Sequence, residues 1–182
     1  MPQEISRGIW KVIGMSNCYI LPEKKMLIDC GPEDEREHFL GEISQLIAPE
    51  EVTTLLLTHV HYDHAGNFAL FPKAKIITGK VEIEDFEKDP AGAVLEPELA
   101  KRLKGKLHPL PKLMDFIIIP TPGHTRGSIS LLFGDVLFSG DTLFEHGYGR
   151  TDLPTSAPEE MPRSLELLKR LHYKVLAPGH EY

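Results

Sequence analysis

The chain has 182 residues, 41% hydrophobic and 26% charged, a composition that excludes disordered and fibrous classes and fits one globular domain over residues 1–182. Twenty Lys and Arg stand against 27 Asp and Glu, a formal net charge of −7. That argues against a nucleic-acid or anionic-membrane partner, because both need a basic face. No apolar run approaches the ~20 residues of a membrane span. Met1-Pro2-Gln3-Glu4 opens without a basic stretch followed by an apolar one, so a cytoplasmic location is expected. Cys18 and Cys30 are too few for a disulfide framework and read as two small buried apolar residues.

In chain order, the spacing predicts short strands over residues 9–13, 17–21 and 26–30, the last stopped by Gly31-Pro32. A helix is predicted over 33–47, where Phe39, Leu40, Ile43, Leu46 and Ile47 recur at helical spacing behind an acidic first turn. The β-branched and leucine-rich run 52–58 reads as a buried strand and 59–66 as the loop after it. A strand over 75–78 and a short helix over 81–86 follow, then a charged, loosely helical insertion over 89–108. Residues 116–119 form another strand. Residues 128–133 and 136–139 form a hairpin around Gly134-Asp135. A helix over 158–172 places Leu165, Leu167, Leu168 and Leu171 on its inner face, and a strand over 174–177 ends the series. Alternating strands and helices, with several antiparallel strands, predict a mixed α/β sandwich.

The histidines carry the chemistry. There are nine, and five fall in one pattern. After Thr58, His59-Val60-His61-Tyr62-Asp63-His64 packs four ligand-type side chains into six residues. His124, Asp141 and His180 each follow a predicted strand, as His59 does. Strand ends on one rim of a sheet lie close together, so loops from four strands can converge there. Imidazole and carboxylate suit zinc, iron, manganese or cobalt. Five His and two Asp exceed one tetrahedral ion. They suit two ions about 3.5–4 Å apart. In an extended loop His59 and His61 point the same way, whereas on a helix they would diverge by ~200°.

His59-Val60-His61-Tyr62-Asp63-His64 is similar to the H-x-H-x-D-H signature of the metallo-β-lactamase-fold superfamily. Pro122-Gly123-His124-Thr125, Ser139-Gly140-Asp141-Thr142-Leu143-Phe144 and Pro178-Gly179-His180 match its later motifs in order, so the resemblance covers nearly the whole chain. It implies an α/β fold of αββα type, a four-layer sandwich of two mixed β-sheets flanked by helices, with metals at one edge. It implies that His59, His61 and His124 hold one metal, that Asp63, His64 and His180 hold a second, and that Asp141 bridges them. Gly140-Asp141-Thr142-Leu143-Phe144, the run Gly147-Tyr148-Gly149-Arg150-Thr151-Asp152 and the ending His180-Glu181-Tyr182 resemble the glyoxalase II-like hydrolase group. Glyoxalase II hydrolyses the thioester S-lactoylglutathione, and Tyr182 matches a tyrosine that helps it bind glutathione. Two departures stand out. Glyoxalase II has Lys-x-Tyr where this chain has Arg150-Thr151-Asp152, and it carries a further helical substrate domain that this chain is expected to lack. Gly149-Arg150-Thr151-Asp152 is closer to the sulfur (persulfide) dioxygenases of the same group.

The expected function is therefore metal-dependent hydrolysis of a small-molecule thioester or related acyl substrate. Two divalent ions, zinc first and iron or manganese next, lower the pKa of a bound water from 15.7 to about 7. Asp63 orients the nucleophile and accepts its proton. The alternative is a dioxygenase with one iron on His59, His124 and Asp141. Nucleic-acid phosphoester cleavage is disfavoured by the charge, and a non-catalytic module by the seven matched ligand positions. Arg150 either clamps a substrate carboxylate or makes a structural salt bridge with Asp152 or Asp141. His146 is assigned to solvent, Tyr62, Trp10, Phe68 and Phe71 to packing, and His38, His108 and His172 to the surface.

Overall fold

The computed structural model describes residues 1–181. Its first sheet takes seven strands in chain order: β1 (Gln3–Ser6), β2 (Ile9–Val12), β3 (Cys18–Leu21), β4 (Met26–Ile28), β5 (Thr54–Leu56), β6 (Lys75–Thr78) and β7 (Leu107–Pro109). β1 to β4 run antiparallel and β4 to β7 parallel. The parallel pairs require crossovers, and these carry the helices. They are α1 (Arg36–Ile43) before β5, α2 (Tyr62–Ala65) before β6, and α3 (Lys80–Lys88), α4 (Pro90–Val94) and α5 (Pro97–Leu103) before β7. The second sheet has the order β11-β10-β9-β8, from β8 (Phe116–Pro120), β9 (Ile129–Phe133), β10 (Val136–Gly140) and β11 (Val175–Pro178). Its one parallel pair, β10 with β11, is joined through α6 (Met161–Lys169).

Both faces of the central strands are apolar, and strand geometry sends alternate side chains to opposite sides. Cys18 and Ile20 enter the core beneath the helices, with Phe39, Ile43, Phe86 and Leu103, whereas Tyr19 and Leu21 face the second sheet. Leu55 and Leu57 divide from Leu56 in the same way, and Ile76 from Ile77. Across the sandwich, Val136 and Phe138 meet the first sheet while Leu137 packs outward under Leu168 of α6. The Tyr19 and Phe138 rings meet edge to face, with centroids 5.2 Å apart. The result is helices, sheet, sheet, helix: the four-layer arrangement expected of the chain. Each Leu, Ile or Phe buried this way contributes about 1.5–3 kcal/mol.

Several elements differ from the sequence reading. The helix predicted over 33–47 is α-helical only over Arg36–Ile43; a 3-10 turn precedes it, and Gln45 N–H to Glu42 O begins the tightening that ends it. β1 was not predicted, since Gln3 and Glu4 are exposed and lack an apolar pattern. The insertion resolves into α4 and α5, each opened by an acidic cap and a proline (Asp89-Pro90 and Glu96-Pro97), followed by the edge strand β7. α6 starts at Met161, and Leu167 faces outward, 43% exposed, because Met161, Ser164 and Leu168 take the inner face. Cys18 and Cys30 are buried and unpaired, as expected.

Candidate metal centre

Four strand ends supply the site. His59 follows β5, and the loop runs directly into α2, which carries Asp63 and His64. His124 follows β8, Asp141 follows β10 and His180 follows β11. The two sheets are tied at this rim by Ile129 N–H donating to the Thr58 carbonyl at 3.0 Å. The seven side chains picked from the sequence come together there, all buried except Asp63, which is half-buried at the mouth.

Three sets have mutually close ligand atoms: His59 with His61 and His124, His59 with His64 and Asp141, and Asp63 with His64 and His180. His61 Nδ1 and His124 Nε2 lie 2.9 Å apart. His64 Nε2 is 3.2 Å from Asp141 Oδ1, and His180 Nε2 is 3.2 Å from Asp141 Oδ2 and 3.3 Å from Asp63 Oδ2. His124 Nε2 reaches Asp141 Oδ2 at 3.4 Å. Asp141 therefore faces both groups. Two ligands on bonds of ~2.0–2.1 Å at a tetrahedral angle stand about 3.3 Å apart, which is the spacing found here. His59 Nε2 is buried with no hydrogen-bond partner among the described residues. A buried polar atom left so is costly unless something binds it. The donor set thus fits a divalent cation of the zinc or iron kind.

Four of the five imidazoles are aimed by their other nitrogen, as metal-ligating histidines require; His61 Nε2 has no hydrogen-bond partner among the described residues. His64 Nδ1 donates to Asp29 Oδ2 at 2.9 Å, His124 Nδ1 to the Arg150 carbonyl at 2.8 Å, and His180 Nδ1 to the Met15 carbonyl at 2.6 Å. His59 Nδ1 lies 3.1 Å from Thr58 Oγ1, whose hydroxyl donates to Asp29 Oδ2. Burial and the neighbouring His124 push His61 down to about 3, and burial lowers His59 and His124 too. These rings are neutral, the form that binds a metal. Against the penalty of burial, Asp141, Asp63 and Asp29 raise His64 well above its ordinary value, and Asp141 and Asp63 raise His180 to about 9. Burial works against the Asp141 carboxylate as well, yet His64 and His180 hold it well below the usual range.

The site opens into a cavity of about 270 Å³. Its floor is His61, Asp63, His124 and Asp141, and its walls include Tyr62, Leu95, Phe144, Tyr148 and Leu153. Tyr62, read as packing, is instead 37% exposed at this mouth. Arg150 also lines the cavity, but its guanidinium is held bidentately by Asp152 at 2.7 and 2.8 Å, the structural alternative considered for it. His38, His108, His146 and His172 are exposed. Tyr182, expected to contact substrate, lies outside the described residues. Sequence reasoning missed Asp29, a buried carboxylate at φ +57° that accepts from Thr58 N, Thr58 Oγ1 and His64. A lone aspartate before Cys30-Gly31-Pro32 carries no motif signal, although an acid ending an apolar strand is a pointer.

A family model described as the metallo-beta-lactamase superfamily matches residues 12–180. The "Probable metallo-hydrolase MJ0888" of Methanocaldococcus jannaschii is 30% identical over 182 aligned positions, covering 91% of this chain and 87% of that one. The cytoplasmic isozyme of hydroxyacylglutathione hydrolase from Saccharomyces cerevisiae is 34% identical, and the match covers 95% of this chain but 66% of the yeast enzyme. The crystal structure of TTHA1623 in a di-iron-bound form superposes with a TM-score of 0.71 at 29% identity, over 94% of this chain and 91% of its own. Sequence, fold and the cluster of imidazoles and carboxylates at the sheet rim agree, and the chain belongs to the metallo-beta-lactamase superfamily of metal-dependent hydrolases.

Proposed function

We propose that the chain hydrolyses a small-molecule thioester or related acyl substrate at a two-metal centre of glyoxalase II type. The observation that supports this most is the position of Asp141, within 3.4 Å of imidazoles from both ligand groups. His59, His61 and His124 would hold one divalent ion, Asp63, His64 and His180 the other, and Asp141 both, with zinc the first choice and iron or manganese the alternatives. When bound, such ions supply Lewis acidity and make hydroxide available near neutral pH.

The chain's own residues do the rest. Asp63 sits at the mouth with Oδ2 beside His180 Nε2 at 3.3 Å, where it orients the attacking water and accepts its proton. The walls formed by Tyr62, Leu95, Phe144, Tyr148 and Leu153 hold the acyl body and limit water around the scissile bond. Arg150 meets a substrate carboxylate only by sharing or leaving Asp152, and Tyr182 is assigned a substrate contact by resemblance. No described helix is long and apolar enough to cross a membrane; we assign the protein to the cytoplasm, where two unpaired buried cysteines are at home.

The test is metal quantitation on protein purified without added metal, combined with thioester hydrolysis and oxygen-uptake assays. Two zinc ions per chain with thioesterase activity is the expected result. One iron with oxygen uptake would replace the proposal by the dioxygenase reading.

A further inference from the structure

Glu82 lies in the first turn of α3, away from the cavity, and no motif includes it. It is nevertheless 2% exposed. A buried carboxylate is expensive to keep unless its oxygens are well used. Here Oε1 accepts from the Val60 N–H at 2.9 Å and Oε2 accepts from Thr125 Oγ1 at 2.7 Å. Val60 is the residue between His59 and His61, and Thr125 is the residue after His124. One side chain thus grips the peptide between two ligands of a triad and the neighbour of the third, across 22 and 43 positions of sequence.

The surroundings are built for that grip. Gly127 lies so close over the helix that a Cβ there would overlap Glu82 N, Cα and Oε2. Only the missing side chain lets the loop after β8 press onto this turn. The Thr125 hydroxyl is steered by Ser128 Oγ at 2.7 Å, and Ser128 Oγ also accepts from Thr125 N at 3.1 Å. Arg126, a cation close to Glu82, is engaged bidentately by Asp85. The Glu82 oxygens are therefore committed to the two loops.

We propose that Glu82 is a positioning residue that sets the distance between the His59–His61 loop and the His124 loop, and through it the metal affinity of that triad. The proposal rests on the metal reading above. It predicts that hydrogen-bonding capacity, not charge, is what counts at this position. A glutamine can keep Oε1 on Val60 N–H and donate Nε2–H to Thr125 Oγ1, with the threonine hydroxyl turning to Ser128.

The test is zinc titration of the full chain against a chromogenic chelator. Wild type is expected to take up two equivalents and His180→Ala one, at the His59–His61–His124 side. In the His180→Ala background, Glu82→Ala should weaken that equivalent by about 10–100-fold, the usual effect of losing a group that orients a ligand. Glu82→Gln should bind close to the parent, and Thr125→Val, which cuts one arm, should fall between them. Circular dichroism and the thermal midpoint of each metal-free protein report folding separately. If Glu82→Ala does not fold, Thr125→Val decides the question alone. A folded Glu82→Ala with parental zinc affinity overturns the proposal, whatever its midpoint. So does a Glu82→Gln as weak as the alanine, or an equal loss in a His61→Ala background, where the other equivalent is read. A wild type that binds no zinc would instead sink the metal reading itself.

Discussion

The two sheets contribute to the centre in opposite ways. The first sheet supplies four ligand-type side chains from one loop and one helical turn after β5. The second supplies His124, Asp141 and His180 from the ends of three different strands. The first group is held by side chains of its own layer, Asp29 on Thr58 and His64 and Glu82 on Val60. The second is held mostly by backbone: carbonyls of Arg150 and Met15 aim its imidazoles, and Gly149 and Gly179 let the chain close directly on Asp141, where any Cβ would collide, while Glu82 reaches across to Thr125 beside His124. A local cluster tolerates loose packing elsewhere in its sheet, whereas a cluster gathered from three strands depends on the whole sheet holding its shape.

The largest expected effect comes from the residue shared by both groups. Asp141→Asn should cut thioester hydrolysis by about a thousandfold, the scale of several kcal/mol lost from charge stabilisation, and zinc counting should show fewer than two ions. A retained pair of zinc ions would break the idea that Asp141 joins the groups. Next are paired cavity mutations. Phe138→Ala in the second sheet should cost about 3–5 kcal/mol and Leu55→Ala in the first about 2–5 kcal/mol. Only Phe138→Ala should also weaken zinc binding, and equal losses of affinity would erase the contrast between the sheets. Asp29→Asn keeps an oxygen for Thr58 and tolerates the positive φ, but loses the anionic acceptor of His64. A drop of about 10–100-fold in zinc affinity is expected, measured by chelator competition. The smallest effect belongs to the exposed Arg150–Asp152 pair. Asp152→Ala should leave the thermal midpoint unchanged, because solvent screens such pairs. A fall in KM for an anionic substrate would show that freeing Arg150 lets it bind carboxylate.

What was legible in the sequence follows the same division. His59, His61, Asp63 and His64 were visible as a local motif, and the other three could be added because each follows an apolar run that reads as a strand. Alternating strands and helices made the sandwich readable, whereas the division of Tyr19 from Ile20, or Leu56 from Leu57, between two cores was not, because these runs are apolar at every position. β1 and β7 were missed because edge strands with exposed residues carry little hydrophobic signal. Leu167 was misplaced because Leu165, Leu167, Leu168 and Leu171 spread over about 160° of the predicted helix 158–172, wider than the buried stripe, and Leu167 falls at the edge of that arc. Asp29 and Glu82 were missed because they act through other residues. Nothing marks a buried carboxylate until its hydrogen-bond partners from distant segments are seen.

The separation of the donors along the chain bears on how the protein is made. The stretch ending at His64 leaves the ribosome more than a hundred residues before His180, an interval of roughly ten seconds at ~5–20 residues per second. At its start a nascent chain shows three imidazoles and a carboxylate; His124 and then Asp141 join during the interval, and His180 comes last. On the proposed two-metal reading, an ion captured early would meet fewer of these donors than an ion bound after the second sheet has closed over the first.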